Sequence, residues 1–318
     1  MTLHTLNADE RSLHGYFSAD LPPVLTIDPG DMLRLNTLDA GWGLEPPALD
    51  GTPRRKFPQP EGSKMIGHAL CGPIAVRGAQ PGMTLAVRIA ALRPASWGWT
   101  RAGGWASPVN DALRLSEGTE QLLRWDLDHA TGLATNQFGH RVSMRPFLGV
   151  IGMPPPEAGQ HSTAPPRSGG GNIDCKELVV GSTLYLPVAV AGGLLSVGDG
   201  HAVQGDGEVS GMAIECPMEL VELTIDLRDD MLLTAPQAQT PAGWVTFGFH
   251  QDLHTAAMQA LEAMVEYLMA KLAVERKVAL GLASVAVDMH VTQLVNGVIG
   301  VHALLPEGAI SAGGIVSG

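Results

Sequence analysis

Between Gly192 and Glu215 the chain reads GGLLSVGDGHAVQGDGEVSGMAIE, and this stretch constrains the fold more tightly than any other. Glycine takes positive φ without steric cost, so glycines this dense predict sharp, repeated turns. Among them stand Asp199, His201, Asp206, Glu208 and Glu215. Turns of this kind bring side chains together from distant positions, and converging carboxylates and imidazoles suit a divalent cation or an acid–base site. Taken singly, Gly-Asp-Gly is also an ordinary turn in which Asp bonds its own backbone. What favours a site is a second polar stretch, Gly169–Asp174 (GGGNID), on the far side of the apolar run Leu184–Val190. Asn172 and Asp174 are two residues apart and share a face of an extended chain, as do Asp199 and His201. Glu215 falls in line with Val209, Gly211 and Ala213, which turns its carboxylate inward, where it needs a partner.

The same glycine content, 39 Gly with 23 Pro in 318 residues, predicts short strands and many turns. Val221, Leu223, Ile225 and Leu227 alternate with Glu222, Thr224, Asp226 and Arg228, the pattern of an antiparallel strand with one wet face. Leu85, Val87 and Ile89 alternate with Thr84, Ala86 and Arg88. Leu184–Val190 reads as a buried strand whose Pro187 marks an edge or a bulge. Helical spacing comes late. Leu253, Ala257, Leu261, Met264, Leu268 and Leu272 make one apolar stripe behind an Asp252 N-cap. A second helix is expected over about residues 275–284, then strands Val287–Val295 and Val298–Leu305 around an Asn296-Gly297 turn. Residues 97–107 and 154–171 read as long loops, the first carrying Trp97, Trp99 and Trp105. The expected fold is mainly β with α+β parts: a β-sandwich-like core of antiparallel strands, a late helical segment and C-terminal strands. It forms a single unit over residues 1–318, with two intertwined subdomains (about 1–150 and 151–318) as the alternative.

A formal net charge of −12 without a basic run excludes a nucleic-acid partner. The first residues lack the apolar core of a signal peptide, and Leu184–Val197 is too short and broken to span a bilayer, so no membrane role is expected. Cys71, Cys175 and Cys216 are too few and too scattered for a disulfide or zinc-finger framework. A reducing, cytoplasmic setting follows as the expectation. No G-x-S-x-G elbow, dinucleotide fingerprint or phosphate loop occurs. Cys175-Lys176-Glu177 carries the residue types of thiol amidases, but neighbours in one chain rarely surround one substrate. His68, ahead of a Gly-Pro step, and Asp39 are further site candidates. His250 and His254 lack the Glu of a zinc-protease helix and read as structural.

Six stretches together resemble the acetamidase/formamidase family: HGYFSADLPPVLTIDPGD, NTLDAGWG, CGPIAVRGAQPG, STAPPRSGGGNIDCKEL, GSTLYLPVAVAGGLLSVGDGHAVQGDGEVSGMAIE and SVAVDMHVTQLVNGVIGVHALLP. They run in order from His14 to Pro306. The resemblance implies hydrolysis of a small aliphatic amide to carboxylate and ammonia, a β-rich fold and a homo-oligomer, most simply a homodimer. It places the signature at Asn172, Asp174, Asp199, His201 and Glu215, with His68 beside them. Two departures stand out. Met83 occupies a turn position where the family commonly has Asp, and the segment from Arg145 lacks the His-Pro-Gly of the formamidase branch, which favours the acetamidase branch.

Amide resonance makes the carbonyl a poor electrophile, so a metal-assisted mechanism is expected. Asp174, Asp199 and His201 are the expected metal ligands. Asn172 is a ligand or a donor to the substrate carbonyl, and Glu215 is a ligand or the general base. A mixed Asp/His set suits zinc, and an oxygen-rich one also accepts calcium, manganese or magnesium. The tryptophans would wall the pocket. The alternatives are a non-catalytic member that binds a small amide or a metal, and a thiol amidase using Cys175.

Overall fold

The computed structural model describes residues 1–60 and 66–311. A nine-stranded sheet runs in the order Leu3–Leu6, Asp31–Leu35, Met218–Arg228, Thr84–Pro94, Thr183–Pro187, Gln237–Thr240, Gly243–His250, Ile299–Pro306, Asp288–Gln293. A six-stranded sheet orders Gly170–Asn172, Phe147–Gly152, Leu195–His201 and Leu70–Val76, ending on Leu13–His14, with Leu25–Ile27 added parallel to Leu70–Val76. Four further strands, Trp97–Ala102, Gln121–Asp128, Leu133–Asn136 and Arg141–Ser143, form an antiparallel meander. The mainly β expectation holds, with antiparallel sheets and a late helical segment.

Met218–Arg228 shows why alternation builds this core. Val221, Leu223 and Ile225 are fully buried, while Glu222 and Thr224 are half-buried and Asp226 is exposed. Burying each such apolar side chain stabilises the fold by roughly 1.5–3 kcal/mol. Its neighbour Thr84–Pro94 departs from simple alternation, because Thr84 to Val87 are buried on both faces. Thr183–Pro187 also departs from expectation. It pairs on both sides, with Thr84–Pro94 and Gln237–Thr240, so it is no edge strand. Pro187 is tolerated because it is the last paired residue.

The helix Leu253–Leu272 begins where Asp252 accepts from the Thr255 amide at 2.7 Å. It lays Ala256, Ala260, Met264 and Leu268 on the large sheet, and a shorter helix, Arg276–Ala286, packs beside it. The final hairpin is as expected, with a slip of register at Gln293, whose Oε1 accepts from the Val295 and Asn296 amides. The tryptophan segment is no long loop. Trp97–Ala102 is a strand because it pairs in full with Gln121–Asp128. A short helix at Pro108–Leu113, capped by Ser107, follows it. Residues 154–169 do form a loop, pinned where Phe17 and His161 exchange backbone hydrogen bonds. Among the described residues, no helix is long and apolar enough to cross a membrane.

Candidate metal centre

The strand Leu195–His201 lies inside the six-stranded sheet, and every residue of it is buried. It pairs with Phe147–Gly152 in a register that sets Leu148 opposite Gly200 and Val150 opposite Gly198, which leaves Gly149 facing Asp199. Gly198 and Gly200 do not serve by turning, since neither takes positive φ. They allow close approach: a Cβ on Gly200 would fall 2.6 Å from the Cys216 carbonyl. Asp199 itself holds the left-handed backbone, at φ 57°, as do Asp174 at 53° and Glu208 at 44°. This conformation costs a non-glycine residue about 1 kcal/mol and concentrates at functional sites.

The strained acids meet. Ligand atoms of Asp174, His201 and Glu208 lie within 4.8 Å of one another, and so do those of Asp199, His201 and Glu215. His201 belongs to both groups. Its Nε2 sits 3.3 Å from Asp199 Oδ1 and 3.3 Å from Glu215 Oε1, within ion-pair range. The Phe147 ring packs edge-on against its imidazole at 4.9 Å. Glu215 is delivered by backbone bridges to both Trp99 and His201, at the join between the meander and the six-stranded sheet. Its Oε1 accepts from the Ala213 amide at 3.0 Å. Asn296, on the C-terminal hairpin, donates to Asp174 Oδ2 at 2.5 Å.

Four carboxylates buried together oppose ionisation. Burial, then the charge of Asp199, pushes Asp174 up to about 6. Burial raises Glu215 to about 7, with Asp199 adding to the rise. Glu208 is pushed well above the usual range by burial and by Asp174. Asp199 moves the other way. Although burial opposes it, His201 and His68 hold its carboxyl below the ordinary range. His201 is raised in turn by Glu215 and Asp199, against the effect of its own burial.

The donor set fits a cation. Asn172 Oδ1, Asp174 Oδ1, both nitrogens of His201, Gln204 Oε1, Glu208 Oε2 and Glu215 Oε2 are buried without a hydrogen-bond partner among the described residues. Orphaned polar atoms in such number are rare in a folded interior. The space between them is kept open by Gly149, where a Cβ would meet Asp199 Oδ2, Asp174 Oδ1 and the His201 ring. A mixed oxygen and imidazole set accepts zinc or manganese.

Asp174, Asp199, His201 and Glu215 are thus brought together. Asn172 is buried close by; its Nδ2 donates to the Ala164 carbonyl at 3.1 Å, which leaves Oδ1 as its unpartnered atom. His68 is half-buried, bonds Thr163 Oγ1 through Nδ1 at 2.8 Å, and acts on Asp174 and Asp199 through its charge. Asp39 does not join the cluster. It is bound by Arg54, by the Trp99 indole at 2.6 Å and by the Gly43 amide, and these contacts hold it as a structural anion. Cys175, Lys176 and Glu177 do not converge: Lys176 pairs with Asp206, Glu177 pairs with Arg145, and burial pushes the Cys175 thiol far up. The tryptophans divide, Trp99 packing behind Glu215 under the guanidinium groups of Arg54 and Arg101. Gln204 and Asn296 were not foreseen as site residues, and Glu208, named among the acids of the glycine-rich stretch, was given no role of its own. Glu208 had a signal in Gly-Asp-Gly-Glu, whereas Asn296 read only as a turn residue.

A mainly β scaffold here gathers four buried carboxylates and an imidazole around a glycine-made gap, a donor set that could hold a metal ion. The chain belongs to the Acetamidase/Formamidase family, whose model matches residues 2–162 and 157–307. It is 27% identical over 257 residues to a putative formamidase of Schizosaccharomyces pombe, covering 64% of this chain and 60% of that one. Over 250 residues it is 26% identical to a formamidase of Methylophilus methylotrophus, covering 62% and 60%. The matches therefore span about 60% of the length of these two relatives. A solved acetamidase of Yersinia enterocolitica superposes with a TM-score of 0.84 at 26% identity, covering 98% of this chain and 93% of that one.

Proposed function

We propose that this protein hydrolyses a small aliphatic amide, acetamide or formamide, to the carboxylate and ammonia at the Asp174–Asp199–His201–Glu208–Glu215 cluster. The observation that carries the reading is the set of buried, unpartnered oxygen and nitrogen atoms around the gap at Gly149. Family membership and relatives named formamidase and acetamidase support the substrate class.

Asp174, Asp199 and His201 would hold a divalent cation, zinc by preference, with Glu208 as a fourth donor. Such a cation supplies Lewis acidity for the carbonyl and acidifies water. Glu215 receives the proton of the attacking water and delivers it to the leaving nitrogen as the C–O bond forms and the C–N bond breaks. A carboxyl raised to about 7 by its burial exchanges protons readily near neutrality. Asn172 Oδ1, left without a partner, accepts an N–H of the substrate amide; the sequence offered Asn172 as a metal ligand or as a donor to the carbonyl. His68, fixed by Thr163 Oγ1, lines the site beside the acids. The enzyme would work in the cytoplasm as a homodimer, which the solution mass measured by light scattering checks.

The deciding experiment follows ammonia release from formamide, acetamide and propionamide by protein as purified, stripped by chelator, and resupplied with zinc. Asp199→Asn is run beside it. Activity should fall on stripping, return with zinc, and drop by about 10²-fold or more in the variant while its melting temperature stays near that of the parent. Full turnover by a preparation that metal analysis shows to be stripped would overturn the metal assignment. A fully active Asp199→Asn variant would overturn the site.

A further inference from the structure

The two segments that feed Asp174 and Glu208 to the first centre send their neighbours elsewhere. Lys176 and Asp206, two residues away from those acids, meet with Nζ to Oδ2 at 2.6 Å. The same Oδ2 lies 2.9 Å from Nδ1 of His290, on the C-terminal hairpin. A carboxylate can only accept, so Nδ1 of His290 donates to it, which leaves Nε2 as the ring nitrogen free to coordinate an ion. Directly across the hairpin stands His302, paired with His290 in register. The two rings stack at 4.8 Å and 4°. His302 is fully buried, its Nδ1 bound to Thr292 Oγ1 at 2.8 Å.

Neither Nε2 has a hydrogen-bond partner among the described residues, and both are buried. Such orphans are seldom left inside a protein without a function for them. Ligand atoms of Asp206, His290 and His302 lie within 4.8 Å of one another, and none of these residues belongs to the first centre. Burial holds His302 down to about 3, so its imidazole is neutral and able to coordinate at any working pH. A carboxylate that fixes one imidazole nitrogen while the other stays free is the usual second shell of a metal-bound histidine.

We propose that His290 and His302, oriented by Asp206 and Thr292, form a second metal site that takes one imidazole-preferring first-row ion such as Zn²⁺ or Cu²⁺. Lys176 neutralises Asp206, so the site offers nitrogen donors with little net negative charge, which selects against Ca²⁺ and Mg²⁺. His290 and Asp206 are each part-exposed, which gives an ion a way in. The two rings lie parallel, so sharing one ion requires the part-exposed His290 to tilt while its Nδ1 keeps the bond to Asp206.

The test counts metal. Protein stripped by chelator is resupplied with Zn²⁺, passed through gel filtration and analysed for bound equivalents. The parent, His290→Ala, Asp199→Asn and the double variant are compared, with melting curves confirming the fold. His290→Ala should hold about one equivalent fewer than the parent, and the double variant about one fewer than Asp199→Asn. The Asp199→Asn background separates this site from the first, so failure of the amidase reading leaves the count unaffected. Cu²⁺ bound to Asp199→Asn should show coupling to two imidazole nitrogens in its paramagnetic resonance spectrum, lost in the double variant. Equal zinc in each pair, or a Cu²⁺ spectrum unchanged by His290→Ala, overturns the proposal.

Discussion

Gly149→Ala tests the cavity at the first centre with a single methyl group. Gly149 does not occupy the left-handed region, so alanine is compatible with its backbone. Taken alone, the change would stabilise the fold by about 0.4–1 kcal/mol through the unfolded chain. The added carbon, however, would lie 2.5 Å from Asp174 Oδ1, closer still to Asp199 Oδ2, and 2.9 Å from His201 Cε1. Ordinary contact begins at 3.4 Å, so the strand or the ligand side chains must yield by close to an ångström. Overpacking on this scale costs about 1–3 kcal/mol, which gives a net loss of roughly 1–2 kcal/mol. A displacement of that size at reacting groups lowers turnover by about 10²-fold. The expected variant is folded, slightly less stable, poor in metal and nearly inactive. The assays are thermal melting, metal analysis and ammonia release from formamide and acetamide. Full metal content with undiminished turnover would refute the account of Gly149 as the residue that keeps the cavity open.

Three further outcomes follow from the same geometry. Asn296→Ala removes the donor to Asp174 Oδ2 and should weaken metal retention about 10- to 100-fold, read by competition with a chelator, while the melting temperature changes little. Cys175→Ala should leave ammonia release within about twofold of the parent, because a fully buried thiol is no nucleophile; a large loss would revive the thiol mechanism. His14, buried between the Tyr16 carbonyl and Ser196 Oγ, is held down from 6.5 to about 4 by burial. The folded state therefore takes up this proton later than the unfolded chain. Stability is whole above pH 6.5 and declines as the pH falls toward 4, by about 3 kcal/mol in all. Denaturant titrations of His14→Gln should show a shallower decline over that interval, and an unchanged slope would refute the assignment.

Much of this protein was legible in its sequence because the relevant signals are local. Period-two alternation around Val221–Leu227 and the stripe from Leu253 to Leu272 report which face is buried, whatever the partner. Asp199, His201, Asp174 and Glu215 announced themselves because buried acids are rare and these stood among glycines. Chain order could not show where the partners lie. The tryptophan segment is a strand only because Gln121–Asp128 lies beside it, and Pro187 ends a doubly paired strand rather than an edge. Asp39 and Asp199 are both fully buried acids. One is satisfied by Arg54, Trp99 and the Gly43 amide, whereas the other faces the gap at Gly149, and no local pattern separates them. Asn296 and His302 join clusters through a hairpin that begins more than a hundred residues after Asp174. Sequence by itself determined the residue types and the periodicity. Tertiary structure decided which of those residues share a space, because burial and convergence depend on contacts that form only when distant strands pair.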